Sequence, residues 1–573
     1  MKRIWTMGML FLIMAVVMMG CTGTTDPKEA QVVTPEAPAA EAPAAVESTP
    51  ESAIKEGGVV RYAAFGTAPG LFNPVLQSNS FDVYEMEVMF EGLLRKSMTN
   101  ELEACLAESF SVSEDKRTLT FKLRENVKWH DGEPFTAEDV KFTFEFICHP
   151  DYAGPYSAVA KAISGYDEYF EGKADHVSGI EVIDPNTVSI TTKEVDATMT
   201  EKICTSILIT PKHIWESVPV KQALEQTELL RNPVGTGPFK ISKFVPDQYV
   251  EMVANDLYWN GRPHVDKYIV QVANPETAQT QIINNEVEML AVKQMNPDDL
   301  DYYKSAGVFV DTISFDAAMN LGVNNSNELL KDKRVRQAFA YAIDREAIVR
   351  DILYGYGTVA NVPYKPDFWA NPEDGLNAYT YNPQKAIELL EEAGWQYKAD
   401  EKQMYKDGKP VKLSLKYYSG NKQVESIAPF IQQALKEVGV QIDLQISEYS
   451  TMLADMKSGD FELYIAAHKN GVAGDMKSQY NSAFTPPNGT NYSRFSNSRV
   501  DELSEQGLRL LSTDERKPIY VEIAKILNEE LPIVYLYHWH QGMAMNSKLK
   551  NVQLTPNSML GINYQTEKWY FEE

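Results

Sequence analysis

Cysteine and histidine are scarce in this sequence, and their scarcity excludes several kinds of chemistry. The chain has 573 residues but only 4 cysteines and 8 histidines. No Cys-x-x-Cys spacing occurs, so the usual zinc and dithiol redox patterns are absent. No His-Glu-x-x-His, Gly-x-Ser-x-Gly or phosphate-binding loop is present either. We therefore expect no cofactor and no enzyme activity. An extracellular hydrolase with two carboxylates stays open as an alternative, because acids are abundant.

Three cysteines follow the first twenty-one residues: Cys105, Cys148 and Cys204. In an oxidising compartment two of them could form a disulfide and leave one thiol over. Three small buried residues are at least as good an interpretation.

Basic residues are also scarce relative to acidic residues. The chain has 54 lysines and arginines against 80 aspartates and glutamates, a formal net charge of −26. Such a surface repels nucleic acid and anionic lipid headgroups. We expect no nucleic-acid partner, and any attachment to a membrane has to come from something other than the protein surface.

The first residues form an apolar segment of limited length. "MKRIWTMGMLFLIMAVVMMGC" has two basic residues, about 16 uncharged residues and then Gly20-Cys21. The run is short of the roughly 20 residues of a membrane-spanning helix, and its layout is that of a secretory signal. It resembles a bacterial lipoprotein signal, which implies removal of residues 1–20 and lipidation of Cys21. An uncleaved anchor is the alternative. Both place the protein at the extracytoplasmic face of the cell membrane.

Residues 21–56 are rich in proline, alanine, glutamate and threonine and have almost nothing to bury. Such a segment cannot offset its ordering entropy, so it predicts a disordered tether. The remaining body, from Gly57, exceeds 500 residues. A chain of this size is expected to divide into two or more lobes.

Helix-like and strand-like stretches alternate along the body, which predicts a mixed α/β fold. "TLTFKL" (118–123) alternates as a half-buried strand does. "FTAEDVKFTFEFI" (135–147) predicts a helix with a capping box from Thr136 to Asp139. Three further segments are predicted to contain helices: residues 332–353, residues 381–395 with Pro383 and Gly394 at their ends, and residues 425–447 with a turn at Gly439 before a strand.

"HDGEPF" (130–135) looks at first like a metal or acid–base site. Asp-Gly and Glu-Pro are turn pairs, and the acids after them fall in the first turn of the predicted helix. No second histidine lies at a ligand spacing. We interpret this segment as structural.

Residues 105–145, "CLAESF…FTFE", resemble the signature of the family 5 extracellular solute-binding proteins, the peptide, nickel and oligosaccharide receptors of ABC importers. The resemblance continues in order through four further segments: 232–259 with Gly-Thr-Gly-Pro-Phe, 319–349, 379–395 and 491–537. It covers essentially residues 57–573.

The resemblance implies a two-lobed, Venus-flytrap architecture with a two-segment hinge. Lobe I would hold residues 57–313, with an extra subdomain at about 92–230, and the C-terminal return 538–573. Lobe II would hold residues 314–537. Ligand contact with both lobes favours the closed state. The implied function is a monomeric receptor that delivers a peptide to ABC permease subunits.

The resemblance also indicates candidate contacts in lobe II. In the peptide receptors an aspartate of lobe II binds the ligand's ammonium group, and here Val472 falls at that position, with Asp475 the nearest acid. His468 and Lys469 would instead present a donor or a positive charge to the cleft. Lys422 lies near the position of a basic residue that holds a peptide carboxylate. Solvated loop charges are the simpler alternative for both lysines.

In lobe I the resemblance indicates residues 63–76, a strand and loop that include Phe72 and line the cleft. Aromatic rings could stack on sugars, so an oligosaccharide ligand is the alternative to peptide; ordinary packing is the other interpretation of these rings, which are Phe72, Tyr364, Phe368, Trp369, Tyr417 and Tyr418. His538 and His540 share one face of a predicted strand, but two ligands rarely suffice for a metal site, so we expect none.

Overall fold

The computed structural model describes residues 54–573 except residues 77–78, 99, 293–294, 315–316, 470–473 and 559. The predictions for the signal, for Cys21 and for residues 21–53 of the tether lie outside the described residues, as does Val472. The first strand, Ile54–Lys55, begins shortly before the predicted start of the body at Gly57.

Strands occur along the whole described chain. Their bounds are β1 Ile54–Lys55, β2 Val59–Ala64, β3 Leu94–Lys96, β4 Leu102–Ala104, β5 Ala107–Val112, β6 Thr118–Leu123, β7 Ile180–Asp184, β8 Thr187–Thr191, β9 Phe239–Val245, β10 Tyr249–Ala254, β11 Lys267–Val272, β12 Met289–Val292, β13 Val308–Ser314, β14 Ala317–Val323, β15 Gly357–Val359, β16 Gln396–Lys398, β17 Gln403–Lys406, β18 Lys409–Pro410, β19 Lys412–Tyr418, β20 Gln441–Ser447, β21 Leu463–Lys469, β22 Ile533–Asn546, β23 Leu549–Lys550 and β24 Tyr570–Glu572.

Helices alternate with these strands. Their bounds are α1 Ser80–Met89, α2 Ala137–Cys148, α3 Ser157–Ala162, α4 Tyr166–Phe170, α5 Ala197–Thr205, α6 Lys212–Trp215, α7 Thr227–Arg231, α8 Ala278–Ile283, α9 Pro297–Ser305, α10 Lys333–Ala342, α11 Arg345–Ala347, α12 Pro383–Glu392, α13 Lys422–Glu437, α14 Tyr449–Ser458, α15 Lys477–Tyr480, α16 Ser498–Leu508 and α17 Thr513–Glu530. Short 3₁₀ helices span Val220–Glu225, Ser482–Phe484 and Thr566–Lys568, and a π-helical turn spans Ile348–Ile352.

One long strand connects two halves of the largest sheet, whose order is β20-β19-β21-β14-β22-β12-β2-β11-β10-β9. The first part of β22, up to Tyr537, pairs with β14, and its last part, from His540, pairs with β13. A separate four-stranded antiparallel sheet has the order β5-β6-β8-β7. Three smaller sheets are β1-β24-β23, β16-β17-β18 and β3-β4.

The hydrophobic cores follow this division. The largest core draws all its fully buried members from Ala318–Tyr537. A second core lies within Val75–Leu230 and packs around the four-stranded sheet and α2. A third joins the N-terminal strands to Met543–Trp569 near the C-terminus. We refer to the residues around the first core as lobe II and to those around the other two as lobe I.

Several local predictions are confirmed. β6 alternates between buried and half-buried residues along its length. A capping box joins Thr136 and Asp139 at the start of α2, where an Asp139 carboxylate oxygen accepts the Thr136 N–H at 2.9 Å. Val140, Phe144 and Ile147 of this helix are buried. Pro383 opens α12, and Gly394 and Gly439 adopt positive φ after α12 and α13, where helices commonly end in a left-handed residue.

The predicted single helix over 332–353 is interrupted. α10 ends at Ala342, Ile343 is extended, and Asp344 caps the short α11 by accepting the Ala347 N–H at 2.8 Å. The guanidinium of Arg345 donates to backbone carbonyls of Ala360 and Tyr535, which belong to distant segments. These tertiary bonds break a helix that the sequence pattern alone would continue.

The "HDGEPF" segment is structural, as the turn pattern predicts. His130 is buried; its Nε2–H donates to the Gly237 carbonyl at 3.0 Å, and its Nδ1 accepts the Gly235 N–H at 3.1 Å. Asp131 pairs with His213 at 2.8 Å. The two most characteristic segments, around residues 130 and 235, are therefore bonded to each other.

Cys105, Cys148 and Cys204 are all buried and free, so no disulfide joins them. Within the described ranges, none of the helices has the length and apolar content needed to cross a membrane.

Candidate ligand-binding cleft

A cavity of about 1010 Å³ lies between the two lobes. Lobe I contributes the end of α1, the β3–β4 hairpin, one side of α5 and the segment Thr555–Glu567. Lobe II contributes Phe368, Trp369, Lys469, Gly474 and the start of α17. The volume is at the upper end of the range for small-molecule pockets, so the cavity suits a ligand of several residues.

Ion pairs and ring contacts fix the lobe I wall. Arg95 of β3 pairs with Glu103 of β4 at 3.3 Å and lies 5.3 Å from the centre of the Tyr564 ring. The Tyr564 hydroxyl donates to Glu103 at 3.0 Å. These contacts connect the hairpin to the C-terminal segment, so the two segments form one rigid surface of the cavity.

A second ion pair, Lys96 with Glu201 at 2.5 Å, joins β3 to α5 in the same wall. Both side chains are about four-fifths buried, so the pair is shielded from solvent more than a surface ion pair. It links the hairpin to the extra subdomain that contains α5.

Glu91 is a buried carboxylate in this wall. It accepts hydrogen bonds from the Tyr258 hydroxyl at 2.9 Å and from the Trp259 indole N–H at 3.0 Å. Burial raises the pKa of Glu91, and the same effect raises the pKa of the adjacent Cys105 thiol well above its ordinary value. A thiol in this state is neutral and weakly nucleophilic, which argues against a reactive cysteine in the cleft.

Arg516 anchors the lobe II wall. It lies in the first turns of α17 and is 4 % exposed. Its guanidinium lies 5.3 Å from the centre of the Trp369 ring and 5.0 Å from that of Tyr520, within cation–π range. Sequence reasoning missed Arg516, because "TDERK" reads as an ordinary charged helix start.

Trp369 and Lys469, two of the predicted contacts, line the cavity. Trp369 packs edge-to-face on Tyr520 at 5.7 Å. Lys469 ends β21 and is exposed, and its backbone carbonyl accepts a bond from Gln479. In the described part of the chain, no carboxylate lies within ion-pair distance of the Lys469 ammonium group.

The other four predicted contacts are described, but they are not among the residues that line this cavity. Phe72 is buried against Phe244, with ring centres 5.3 Å apart. Lys422 is exposed at the start of α13.

His468 shares a hydrogen bond of 3.2 Å with Tyr464, and burial lowers its pKa to about 4. Asp475 accepts the Lys477 N–H at 2.8 Å, and burial raises its pKa.

The remaining aromatic candidates differ in position. Tyr364 and Phe368 stack with ring centres 4.7 Å apart, and Phe368 reaches the cavity. Tyr417 and Tyr418 are half-buried against the lobe II core.

His538 is buried, and its Nδ1 lies 3.0 Å from the Ala317 carbonyl. Across the described residues, no group of three or more histidine, cysteine, aspartate or glutamate side chains is placed to hold a metal ion.

A large cleft between two lobes, bounded by fixed charges and aromatic rings, defines a two-lobed ligand-binding protein. Residues 101–491 match the model of the bacterial extracellular solute-binding proteins, family 5, middle region. The chain belongs to this family, and the predicted relationship is confirmed.

The relatives agree with this assignment. The chain is 30% identical over 531 residues to the oligopeptide-binding protein AppA of Bacillus subtilis, covering 90% of this chain and 92% of the relative. The structure of AppA with a nonapeptide superposes with a TM-score of 0.70 at 28% identity, covering 91% of this chain and 100% of AppA. The ABC transporter substrate-binding protein CtaP of Listeria monocytogenes gives a TM-score of 0.77 at 25% identity, with coverage of 91% and 100%.

The α/β two-lobed binding-protein fold is thus confirmed. The protein is a substrate-binding protein of the ABC importer type, and its homologues are receptors rather than enzymes.

Proposed function

We propose that this protein is a lipid-anchored extracytoplasmic receptor that captures a peptide between its lobes and delivers it to the permease subunits of an ABC importer. The cavity of about 1010 Å³ between the lobes is the observation that carries the proposal. The peptide ligands named for AppA support it. In this proposal the chain acts as a monomer, and Cys21 bears the lipid.

Closure would occur about the two connections between the lobes. One is the link between β13 and β14, and the other is the middle of β22, where its pairing passes from β14 to β13. The sequence-based lobe boundaries, 313/314 and 537/538, belong to this proposal. Two connections restrict the motion to a hinge, and ligand favours closure by the affinity it gains there.

In the same proposal, Trp369 and Lys469 contact the ligand directly, because both line the cavity. Phe72, Lys422, His468 and Asp475 would contact it only after a rearrangement of the walls. Substitutions of Trp369 and Lys469 should therefore weaken ligand binding more than substitutions of the other four residues.

Native mass spectrometry of residues 52–573, which form one compact unit and retain β1, tests the function. Closed receptors that are purified without denaturation retain tightly bound ligand. A heterogeneous set of peptide masses is the expected result. Masses spaced by sugar units would overturn the peptide assignment in favour of an oligosaccharide.

An empty protein would be screened by thermal unfolding against both ligand classes. A ligand that binds only the folded state raises the melting temperature. At a ligand concentration of one hundred times its Kd, the free energy of unfolding increases by about 2.7 kcal/mol. A rise with sugars and none with peptides would contradict the proposal.

A further inference from the structure

An ion pair joins the two lobes outside the connections between them. The Lys116 ammonium group of lobe I lies 3.4 Å from a carboxylate oxygen of Glu515 in lobe II. Lys116 lies in the turn between β5 and β6, and Glu515 lies in the first turn of α17. Neither residue lines the cavity. The contact depends on how the lobes are arranged, so hinge opening would break it.

The turn that contains Lys116 is held by hydrogen bonds of its own. The Ser113 N–H donates to the Thr118 carbonyl at 2.9 Å, and the Lys116 N–H donates to the Ser113 carbonyl at 2.9 Å. The Asp115 carboxylate accepts the Arg117 N–H at 3.2 Å and a bond from its guanidinium at 3.0 Å. None of these bonds involves lobe II. We call residues 113–118 the latch turn, and its shape does not depend on lobe II.

Lys116 occupies the tip of the latch turn with a left-handed backbone, at a φ of 60°. Glycine, asparagine and aspartate adopt this conformation more readily than lysine. The turn by itself therefore does not favour a lysine. The contact of its ammonium group with lobe II supplies a reason for a long basic side chain at this position.

Glu515 is placed at the edge of the cleft by α17. Its neighbours in sequence, Asp514 and Arg516, both line the cavity. An acid in the first turn of a helix is stabilised by the exposed N–H groups of the helix start. The latch turn therefore contacts lobe II beside the wall that a ligand would contact.

A second contact joins the same part of lobe I to lobe II. Helix α5, which follows the four-stranded sheet in the chain, lies beside α16 of lobe II. Asp196 caps α5 by accepting the N–H groups of Thr198 and Met199 at 2.8 and 3.1 Å. Asp475 of lobe II is close enough for the charge of Asp196 to raise its pKa, although burial is the larger cause. The region around the second core thus meets lobe II at two places.

We propose that the latch turn holds lobe II in the closed arrangement, through Lys116 and Glu515, and thereby slows the release of a bound ligand. This rests on the proposed function, because it requires a ligand enclosed between the lobes. It also gives a role to the sheet β5-β6-β8-β7, none of whose strands lines the cavity. Both side chains of the pair are partly exposed, so the latch is weak enough to open.

Zero-length cross-linking tests the contact itself. A water-soluble carbodiimide joins a lysine amine to a carboxylate only where the two groups touch. Residues 52–573 are treated with and without a saturating pool of random nonapeptides, then digested and mapped by mass spectrometry. We expect a cross-link between Lys116 and Glu515 whose yield rises about twofold or more with peptide. Absence of the cross-link, or an equal yield once peptide is bound, would overturn the latch.

Charge reversal tests the effect on release. Lys116→Glu and Glu515→Lys each place like charges together, whereas the double variant restores an ion pair in the reversed sense. Release of the bound nonapeptide pool is followed after dilution by rapid gel filtration and mass spectrometry. We expect each single variant to release peptide about twofold to fivefold faster, the range for an exposed ion pair, and the double variant to return toward the wild-type rate. About 0.5 M salt should reduce these differences.

Lys550→Glu and Glu572→Lys are the matched control variants. Lys550 and Glu572 form an ion pair of 3.1 Å with side chains 38% and 56% exposed, against 42% and 51% for the latch pair. Both residues of the control pair lie in lobe I, in the sheet β1-β24-β23. Reversing either charge should leave the release rate unchanged.

Three further results would contradict the latch. Single variants with the wild-type release rate would show that the pair does not hold the lobes together. A double variant as fast as the single variants would show that the charges act on the ligand directly. If the wild type retains no nonapeptide, the proposed function fails and the role in ligand release fails with it. The cross-link distinguishes these cases, because it reports the contact between the lobes whether or not peptide binds.

Discussion

At the residue scale, His130 shows how one side chain joins two segments that are far apart in sequence. Its two ring nitrogens contact Gly237 and Gly235, so the neutral imidazole acts as donor on one side and acceptor on the other. A Cβ at Gly235 would approach the Met89 carbonyl oxygen to 1.8 Å, so this close approach requires glycine. Protonation would turn the accepting nitrogen into a donor that faces another donor.

The pKa of His130 makes this contact sensitive to pH. Burial lowers the pKa from 6.5 to about 4. As pH falls below 6.5 the unfolded state takes up the proton first, so the free energy of unfolding decreases until about pH 4. We expect His130 to account for roughly 2 kcal/mol of lost stability between pH 7 and pH 5.

Urea unfolding at both pH values measures this loss. His130→Gln keeps one donor and one acceptor but cannot titrate, so its stability should depend less on pH. His213→Gln, the same substitution at a more exposed histidine, is the matched control for replacing a ring by an amide. An unchanged pH dependence in His130→Gln would contradict the assignment.

Lys469 and Lys422 offer a second residue-scale comparison. We expect Lys469→Ala to weaken a peptide with a free carboxylate by roughly 1–3 kcal/mol, because a charged hydrogen bond is lost. Lys422→Ala should weaken it less, since Lys422 is exposed outside the cavity lining. Isothermal titration measures both, and equal losses would mean that the ligand extends beyond this cavity.

At the element scale, α2 follows its sequence pattern closely, while α10 does not. In α2 the cap and the buried face are both local features, set by residues three or four positions apart. In α10 the pattern continues past Ala342, but Arg345 bonds to distant carbonyls and the helix breaks. Local periodicity predicts where a helix starts; tertiary bonds can decide where it stops.

The buried face of α2 gives a stability prediction. Phe144 is fully buried, whereas Phe142, on the same helix, is half-buried. Phe144→Ala should lower the free energy of unfolding by about 3–5 kcal/mol, because it removes apolar burial and leaves a cavity. Phe142→Ala should cost clearly less. Similar losses for both variants in denaturant titrations would show that the helix packs on a different face.

At the scale of the whole molecule, separate cores define the lobes and β22 connects them. No disulfide joins Cys105, Cys148 and Cys204, so noncovalent contacts hold the parts of lobe I that contain these residues. Burial also raises the pKa of Cys148 and Cys204 to about 12.

Thiol counting tests this arrangement. Folded residues 52–573 should react negligibly with a thiol reagent at neutral pH, since the three thiols are buried and protonated. The unfolded chain should react at all three. Cys105→Ser should lower the count in the unfolded state by one. A single reactive thiol after unfolding without reductant would reveal a disulfide and contradict the structure.

The sequence by itself determined the family, the α/β character, the starts of the main helices and the structural role of the segment around His130. These features depend on short-range chain geometry or on continuous motifs, which a sequence displays directly. Only the tertiary structure decided which side chains meet in the cleft. Arg516, Trp369 and Lys469 lie far apart in sequence and become one wall only after lobe II has folded.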